Sequence, residues 1–572
     1  MSGRLYDYLE IENLKDMLNK TKKLYGERPA YKIKLSEGNY KIITHSEVRD
    51  MVDALGTALI HLGLKNKRIG VIGPNRYEWE IAYLSIVCGT GIVVPLDKAL
   101  PENELESLIE RAEIDAIFYT EKYEEILKKI KNDKNNNLKH LISMDLEKNA
   151  DEIFSQEELI KKGKELINKG NKEFIDAKIN DEEMSIMLFT SGTTSKSKVV
   201  ALSHKNICSN LMDIASVVDV NTDDTLLSML LLHHVFECTV GFLFALYKGA
   251  QTAFCDGIRN LVDNLNEYGV TVMASVPSIY ERIFMFVRKK LEKEGKLEKI
   301  LENEEKYKNE SMEKKKEVFK EIHDMLGGKI KVFLCGAASL DPEIEKRYMI
   351  LGFNMIQGYG LTETSPVVGV GTEKHKKIGS IGKPLPSVKV KLENINSEGI
   401  GELLVKGPNV MIGYYNNEEE NKKALKDGWF YTGDLAKIDE EGYIFICGRK
   451  KSVIVLKNGK NIFPEEMENI VNKVEGVKEA FVFGKPKLNN KDDIKINVLI
   501  VFDRQEIKDI YNVEKDEDIH KMFVEKIKEV NKKIPSYKAI RGVLITENEL
   551  IKTTTNKIKR QENLDAIETI KY

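Results

Sequence analysis

Along the N-terminal half of the chain, short continuous apolar runs alternate with stretches in which apolar residues return every third or fourth position. "KRIGVIGPN" predicts a strand, "RYEWEIAYLSIVCGTG" a helix and "IVVPLD" the next strand. "ENELESLIERAE" then predicts an amphipathic helix and "DAIFYT" another strand. The rhythm returns in "VTVMASVPSIYERIF", "KIKVFLCGAASL" and "FNMIQGYGLTETSP". Parallel strands need long crossovers, which helices supply, so this alternation predicts parallel sheets covered by helices.

The texture changes twice. From Arg288 to Leu326 the chain is densely charged, which predicts solvated surface helices. From Gly379 to Ile446, short strands between glycine turns predict a small β-rich subdomain; after "CGRKKS" an α+β pattern follows. The expected fold class is α/β. A large N-terminal domain, residues 1–450, holds two mainly parallel sheets with helices and the β-rich subdomain at about 379–446; a small α+β C-terminal domain spans residues 451–572.

One segment, "LLSMLLLHHVFECTVGFLFALY" (Leu226 to Tyr247), has the length of a membrane span. His233, His234 and Glu237 sit at its middle, where polar groups are costly, so a buried strand followed by a buried helix is expected. The start, "MSGRLYDYLEIENL", has no apolar signal-peptide stretch, and the six cysteines form no CxxC pair. A cytoplasmic protein with reduced, mostly buried thiols is the expectation. Lys+Arg 88 balance Asp+Glu 91, leaving no global positive field for nucleic acid.

Candidate chemistry begins in "MLFTSGTTSKSKVVALSHKNI". Thr190, Ser191, Thr193, Thr194 and Ser195 offer hydroxyls, Gly192 permits close backbone approach, and Lys196 and Lys198 carry charge. Such a loop can wrap a polyphosphate, though its spacing is not that of a Walker A loop. The alternative for the loop by itself is a polar surface turn. Downstream, "QGYGLTETSP" brings together Tyr359, able to stack on a base, Thr362, able to reach a phosphate, and Glu363, able to hold magnesium. Further on stand Asp434, a candidate acceptor for ribose hydroxyls, Arg449 nearby, and Lys557 in the polar loop "IKTTTNKIKRQ".

Taken in order, these motifs resemble the adenylate-forming (AMP-binding) superfamily of acyl- and aryl-CoA synthetases, peptide-synthetase adenylation domains and firefly luciferase. The resemblance runs from about Thr44 to Arg560. It is most similar to bacterial long-chain fatty-acid–CoA ligases, through "IGPNRYEWEIAYLSIVCGTGIVVPLDKALPENE", "LLLHHVFECTVGFL" and "DGWFYTGDLAKIDEEGYIFICGRKK".

The resemblance implies that Thr190, Ser191, Gly192, Thr193, Thr194 and Lys198 hold the ATP phosphates. It places Tyr359 and Gly360 against adenine beside the turn at Gly336 and Ala337, Thr362 at the α-phosphate, Glu363 on Mg²⁺, and Asp434 and Arg449 on ribose. His234, Phe236 and Gly360 would line the acyl pocket, and Gly360 stands where acetate-activating relatives have a tryptophan. Lys451 falls at the hinge of a mobile C-terminal domain, and Lys557 matches the lysine bridging acyl carboxylate and α-phosphate. The chain departs from the family at Ser195, Ser197 and Val199, where glycine, proline and glycine are usual, so the loop loses backbone freedom. Asn556 replaces a usual glycine, and Leu231 and Ile551 usual prolines.

The implied reaction joins a fatty acid, ATP and coenzyme A: an acyl-AMP forms, pyrophosphate leaves, and the CoA thiol expels AMP. Transfer to an acyl carrier protein, a shorter or aryl acid as substrate, and an inactive nucleotide- or acyl-binding relative remain alternatives. Weak peripheral membrane contact and the oligomeric state stay open.

Overall fold

The computed structural model describes residues 3–133, 136–190, 198–456, 460–487, 490–553 and 557–569. Among these residues two large sheets dominate. In the nine-stranded one, Met355–Gly360, Val332–Cys335, Val272–Ser275, Thr225–Ser228, Gln251–Phe254 and Pro29–Ser36 run side by side in parallel. Asn39–Thr44 closes one edge antiparallel; Val367–Val370 and Lys383–Pro384 close the other. The stretches "VFLC", "VMAS" and "TLLS" are buried at every position because helices cover both faces.

The eight-stranded sheet is parallel through Met184–Phe189, Gly91–Pro95, Lys67–Ile72, Ala116–Tyr119, His140–Ser143 and Ile153–Ser155. Val199–Ser203 and then Gly413–Tyr414 join it antiparallel. One apolar core runs through both sheets, with Val71, Val93 and Phe118 in the same cluster as Leu226, Ala274, Leu334 and Ile356. The two sheets thus hold each other in register through shared side chains, and the loops at their ends keep fixed relative positions.

The apolar segment at 226–247 folds as expected, into the buried strand Thr225–Ser228 and the buried helical stretch Glu237–Lys248. Its first seven residues, Glu237–Leu243, form a π-helix, which the sequence pattern did not show. No described helix is long and apolar enough to cross a membrane. All six cysteines are free thiols, and Cys88, Cys208, Cys238 and Cys335 are buried.

The charged run forms helices, including Leu297–Tyr307 and Met312–Val318, that are largely solvated. Its apolar minority is not: Ile300, Phe319, Ile322 and Leu326 pack into a second core with Tyr280 and Tyr348. The β-rich segment is a five-stranded antiparallel sheet from Lys389–Glu393 to Ile444–Arg449. Beyond it, Glu479–Lys487, Asn490–Val501 and Gly542–Thr546 form a three-stranded sheet. Helices Pro464–Val471 and Asp516–Lys532 cover that sheet over a core of its own. Lys473 reaches back to Asp341 in a 2.7 Å ion pair.

Candidate active site

The geometry is best built from one hairpin. Strands Trp429–Ile438 and Ile444–Arg449 pair antiparallel with Asp434 directly opposite Arg449. That register brings Arg449 Nε within 2.8 Å of Asp434 Oδ1. The other oxygen accepts the Tyr359 hydroxyl at 2.5 Å. The Asp434 N–H donates to Thr432 Oγ1, and Arg449 also donates to the Thr432 carbonyl. Burial pushes the Asp434 carboxyl above its ordinary range, while Arg449 and then Tyr359 pull it back. Each carboxylate oxygen keeps lone-pair capacity beyond these bonds, so the pair can still receive hydroxyl donors.

Tyr359 is the penultimate residue of the strand Met355–Gly360, and after Leu361 the chain forms the tight turn Thr362–Thr364. The turn is fixed from below. Thr364 Oγ1 donates to the Pro366 carbonyl at 2.5 Å, and Asn409 Nδ2 donates to the Thr364 carbonyl at 3.1 Å. The Met411 N–H binds the Glu363 carbonyl at 2.8 Å. Glu363 Oε1 accepts the Tyr414 hydroxyl at 2.9 Å. A carboxylate, a threonine hydroxyl and the Asp434 hairpin are thus presented from elements with little freedom to move.

Thr190 and Lys198 are the described ends of the candidate phosphate loop; Ser191, Gly192, Thr193 and Thr194, with residues 195–197, lie outside the described residues. The two ends are tied together, Thr190 N–H and Oγ1 both donating to the Lys198 carbonyl, at 2.9 and 3.3 Å. Val199 is a buried residue of the strand Val199–Ser203, opposite Phe189. A β-branched residue suits that extended backbone, so valine at 199 costs no flexibility that the strand would use.

Gly336 and Ala337 follow the strand Val332–Cys335, and Ala337 takes a left-handed φ of 68°. A Cβ on Gly336 would come within 2.9 Å of Phe236 Cζ, so glycine lets the tip of that ring approach the turn. His234 is half-buried beside His233, ring centroids 4.2 Å apart, with its Nε2 buried and unpartnered. Burial, then His233, lowers the His234 pKa to about 3, so it is a neutral imidazole at physiological pH. Gly360 is hemmed in: a Cβ there would sit 1.9 Å from the Pro366 carbonyl oxygen.

Lys557 is brought to this hairpin from the far end of the chain. Its N–H donates to Thr553 Oγ1 at 3.1 Å, and its carbonyl accepts from the Thr553 N–H at 2.8 Å. The side chain is open to solvent yet walled by protein, as a group at a cleft mouth would be. The surrounding protein and then Arg449 hold its pKa below the ordinary lysine value, opposed by Asp434 and Glu363. His234 feels the same ammonium. Lys451 lies apart, in the exposed turn Lys450–Ser452 between the hairpin and the last lobe.

Two residues of this constellation escaped the sequence reading. Tyr414 orients Glu363, and Glu420 forms an ion pair with Lys198, whose ammonium lies 4.6 Å from the centroid of the Tyr414 ring. Both belong to "GYYNNEEEN", whose spacing carries no signal for either role.

The chain matches the family described as AMP-binding enzyme over residues 18–415 and the AMP-binding enzyme C-terminal domain over residues 451–569. It belongs to the AMP-binding enzyme family. Among curated relatives, fatty acyl-CoA synthetase B of Dictyostelium discoideum is 30% identical over 83% of this chain and 75% of its own length. Long-chain-fatty-acid–CoA ligase 5 of Rattus norvegicus is 29% identical over 84% and 74%. These AMP-binding enzymes are eukaryotic, whereas the sequence motifs had pointed nearest to bacterial ligases. Among solved structures, ATP-bound MatB from Rhodopseudomonas palustris has the same fold: TM-score 0.76 at 21% identity, covering 98% of this chain and all of that one. Apo MatB, with the same coverage and identity, matches at 0.67.

Proposed function

We propose that this AMP-binding enzyme is an ATP-dependent acid–thiol ligase that activates a long-chain fatty acid as acyl-AMP and transfers it to coenzyme A. The observation that carries the reading is the placement of Lys557. A lysine from the last lobe lies near enough to Asp434, Arg449 and Glu363 to feel the charge of all three.

In this reading Asp434 and Arg449 hold the ribose, and Tyr359 stacks on adenine while bracing Asp434. Thr190, Thr362 and Lys198 face the phosphates, with Ser191, Gly192, Thr193 and Thr194 assigned there by resemblance alone. The fatty carboxylate and the α-phosphate are both anions, so their approach needs a preorganised cation, and Lys557 is that cation. Glu363 suits magnesium: a hard oxygen donor with one oxygen held by Tyr414 and the other left for an ion that keeps most of its waters. When bound, the ion would offset phosphate charge. The neutral His234 and the ring of Phe236 beside Gly336 would border the acyl carbonyl, and the apolar, buried segment Cys238–Tyr247 would offer the acyl chain a lining.

The long-chain assignment draws on the relatives' names and on the apolar character of that segment. The test is pyrophosphate release driven by a panel of acids from acetate to oleate, with aryl acids included, and with free CoA and acyl carrier protein compared as acceptors. Long-chain acids with CoA should give the highest kcat/KM. A preference for acetate, for an aryl acid or for the carrier protein would overturn the corresponding part of the proposal.

A further inference from the structure

Lys198 leads into the strand Val199–Ser203 with its backbone pinned. Its carbonyl is held by Thr190, and the Val199 carbonyl next to it accepts the Tyr415 N–H at 2.8 Å. Only the side chain is free to swing, and it is already engaged. Its ammonium pairs with Glu420 and lies over the Tyr414 ring. Glu420 sits in the first turn of helix Glu418–Ala424, where Asn417 caps its N–H at 3.2 Å. Its second oxygen takes Lys423 at 3.0 Å. The two lysines, Lys198 first, bring the Glu420 pKa down to about 2, so it is an anion throughout the working range. Beneath Lys198, the Tyr414 hydroxyl holds Glu363. One tyrosine therefore touches the lysine with its ring and the candidate metal carboxylate with its oxygen.

We infer that Glu420 is a positioning residue that draws Lys198 away from the nucleotide, so ATP must displace a carboxylate from this ammonium before the lysine can serve its phosphates. The inference rests on the proposed role of Lys198. One ammonium cannot be fully committed to both a carboxylate and a phosphate. About a quarter of each partner's side-chain surface is exposed (26% and 28%), which keeps the ion pair weak enough to break in every turnover. On departure of pyrophosphate, Glu420 recaptures the lysine and lowers the affinity of the site for the leaving anion. The contact spans 222 residues of sequence, and the neighbouring Glu419 makes no such contact, pairing only with Lys423 at 82% exposure.

The test compares Glu420→Gln with Glu419→Gln, an equal loss of charge one residue away. Glu420→Gln should lower KM for ATP and Ki for pyrophosphate together, by about two- to fivefold for an ion pair of this exposure. Glu419→Gln should move neither. In a Lys198→Met background, Glu420→Gln should lose its effect, because the lysine it restrains is gone. Thermal unfolding of Glu419→Gln should match wild type, and Glu420→Gln should unfold slightly earlier, because the ion pairs that hold its pKa down also stabilise the fold. The inference is overturned if Glu420→Gln leaves KM unchanged or raises it, if Glu419→Gln has the same effect, or if the effect survives in Lys198→Met. Lys198→Met alone leaving KM for ATP untouched would remove the premise, the phosphate role of Lys198, and the inference with it.

Discussion

Tyr359 and Asp434 share a 2.5 Å hydrogen bond across 75 residues of sequence, joining the parallel sheet to the β-rich hairpin. Arg449 holds the opposite oxygen at 2.8 Å, so Asp434 is anchored on both sides before any nucleotide arrives. A preorganised acceptor loses little entropy on binding, which is what a ribose site needs. Asp434→Ala should raise KM for ATP at least about tenfold, since a hydrogen bond to a charged group contributes roughly 1.5–3 kcal/mol. Tyr359→Phe keeps the ring and loses one bond, so its effect should be smaller. Steady-state ATP kinetics on the two variants decide; equal, negligible changes would remove Asp434 from the nucleotide site.

Gly360 gives a prediction about stability instead of specificity. The residue pairs with Val367 at the sheet edge, and a Cβ would meet the Pro366 carbonyl oxygen at 1.9 Å and the Val367 Cα at 3.0 Å. Those are backbone atoms, which cannot rotate aside. Gly360→Trp therefore cannot act as a simple plug of the acyl tunnel here, although the family comparison suggests that substitution. Gly360→Ala should already destabilise the fold by about 1–3 kcal/mol through overpacking. Chemical denaturation would check it. An alanine variant of wild-type stability would show that the edge pairing yields, and would reopen the tryptophan as a chain-length test.

How far the sequence foretold this site depends on whether a feature is local. The strand "AIFY" and the last four residues of "KRIGVI" were legible because a stretch buried on both faces must be continuously apolar. The candidate nucleotide residues could be proposed from sequence because they sit in short motifs in a fixed order. The Lys198–Glu420 pair, the Tyr414–Glu363 bond and the hairpin facing Tyr359 were not, because two residues that meet only in the fold leave no periodicity behind. The charged run misled in one respect. Ile300, Phe319 and Ile322 enter a core, since a helix needs only a narrow apolar stripe to dock and the charges around it hide that stripe.

Glu237 lies in a layer that the proposed chemistry does not use. It is fully buried in the π-helix, accepts Ser228 Oγ at 2.7 Å, and faces a second buried acid, Glu80. Burial raises its pKa to about 8, against 4.5 for an ordinary glutamate. Between those values the folded chain holds a proton that the unfolded chain has lost. Stability from this group is therefore complete below about pH 4.5 and falls as pH rises toward 8, by at most about 1.4 kcal/mol per unit. Glu237→Gln keeps the shape and removes the titration. Denaturation midpoints at pH 5.5 and 7.5 should differ less in the variant than in wild type. Parallel pH dependence in both would show that Glu237 is ionised in the fold.

Lys557 supplies the most discriminating prediction. It sits beyond the last sheet strand, in a loop tied by its own bonds to Thr553, and nothing nearby in sequence marks it as chemical. Arg449 and the surrounding protein depress its pKa while Asp434 and Glu363 oppose them, so removing it withdraws a cation from a place where charge is expensive to replace. Lys557→Ala should slow acyl-adenylate formation by at least about a hundredfold, the scale of losing a preorganised electrostatic partner. The thiol half-reaction, measured with synthetic acyl-AMP and CoA, should stay close to wild type, because AMP departs there without the carboxylate–phosphate approach that Lys557 relieves. Equal loss in both half-reactions would mean that the variant harms folding or nucleotide binding in general. No loss in either would make Lys557 an ordinary surface lysine and would remove the observation on which the proposed ligase activity chiefly stands.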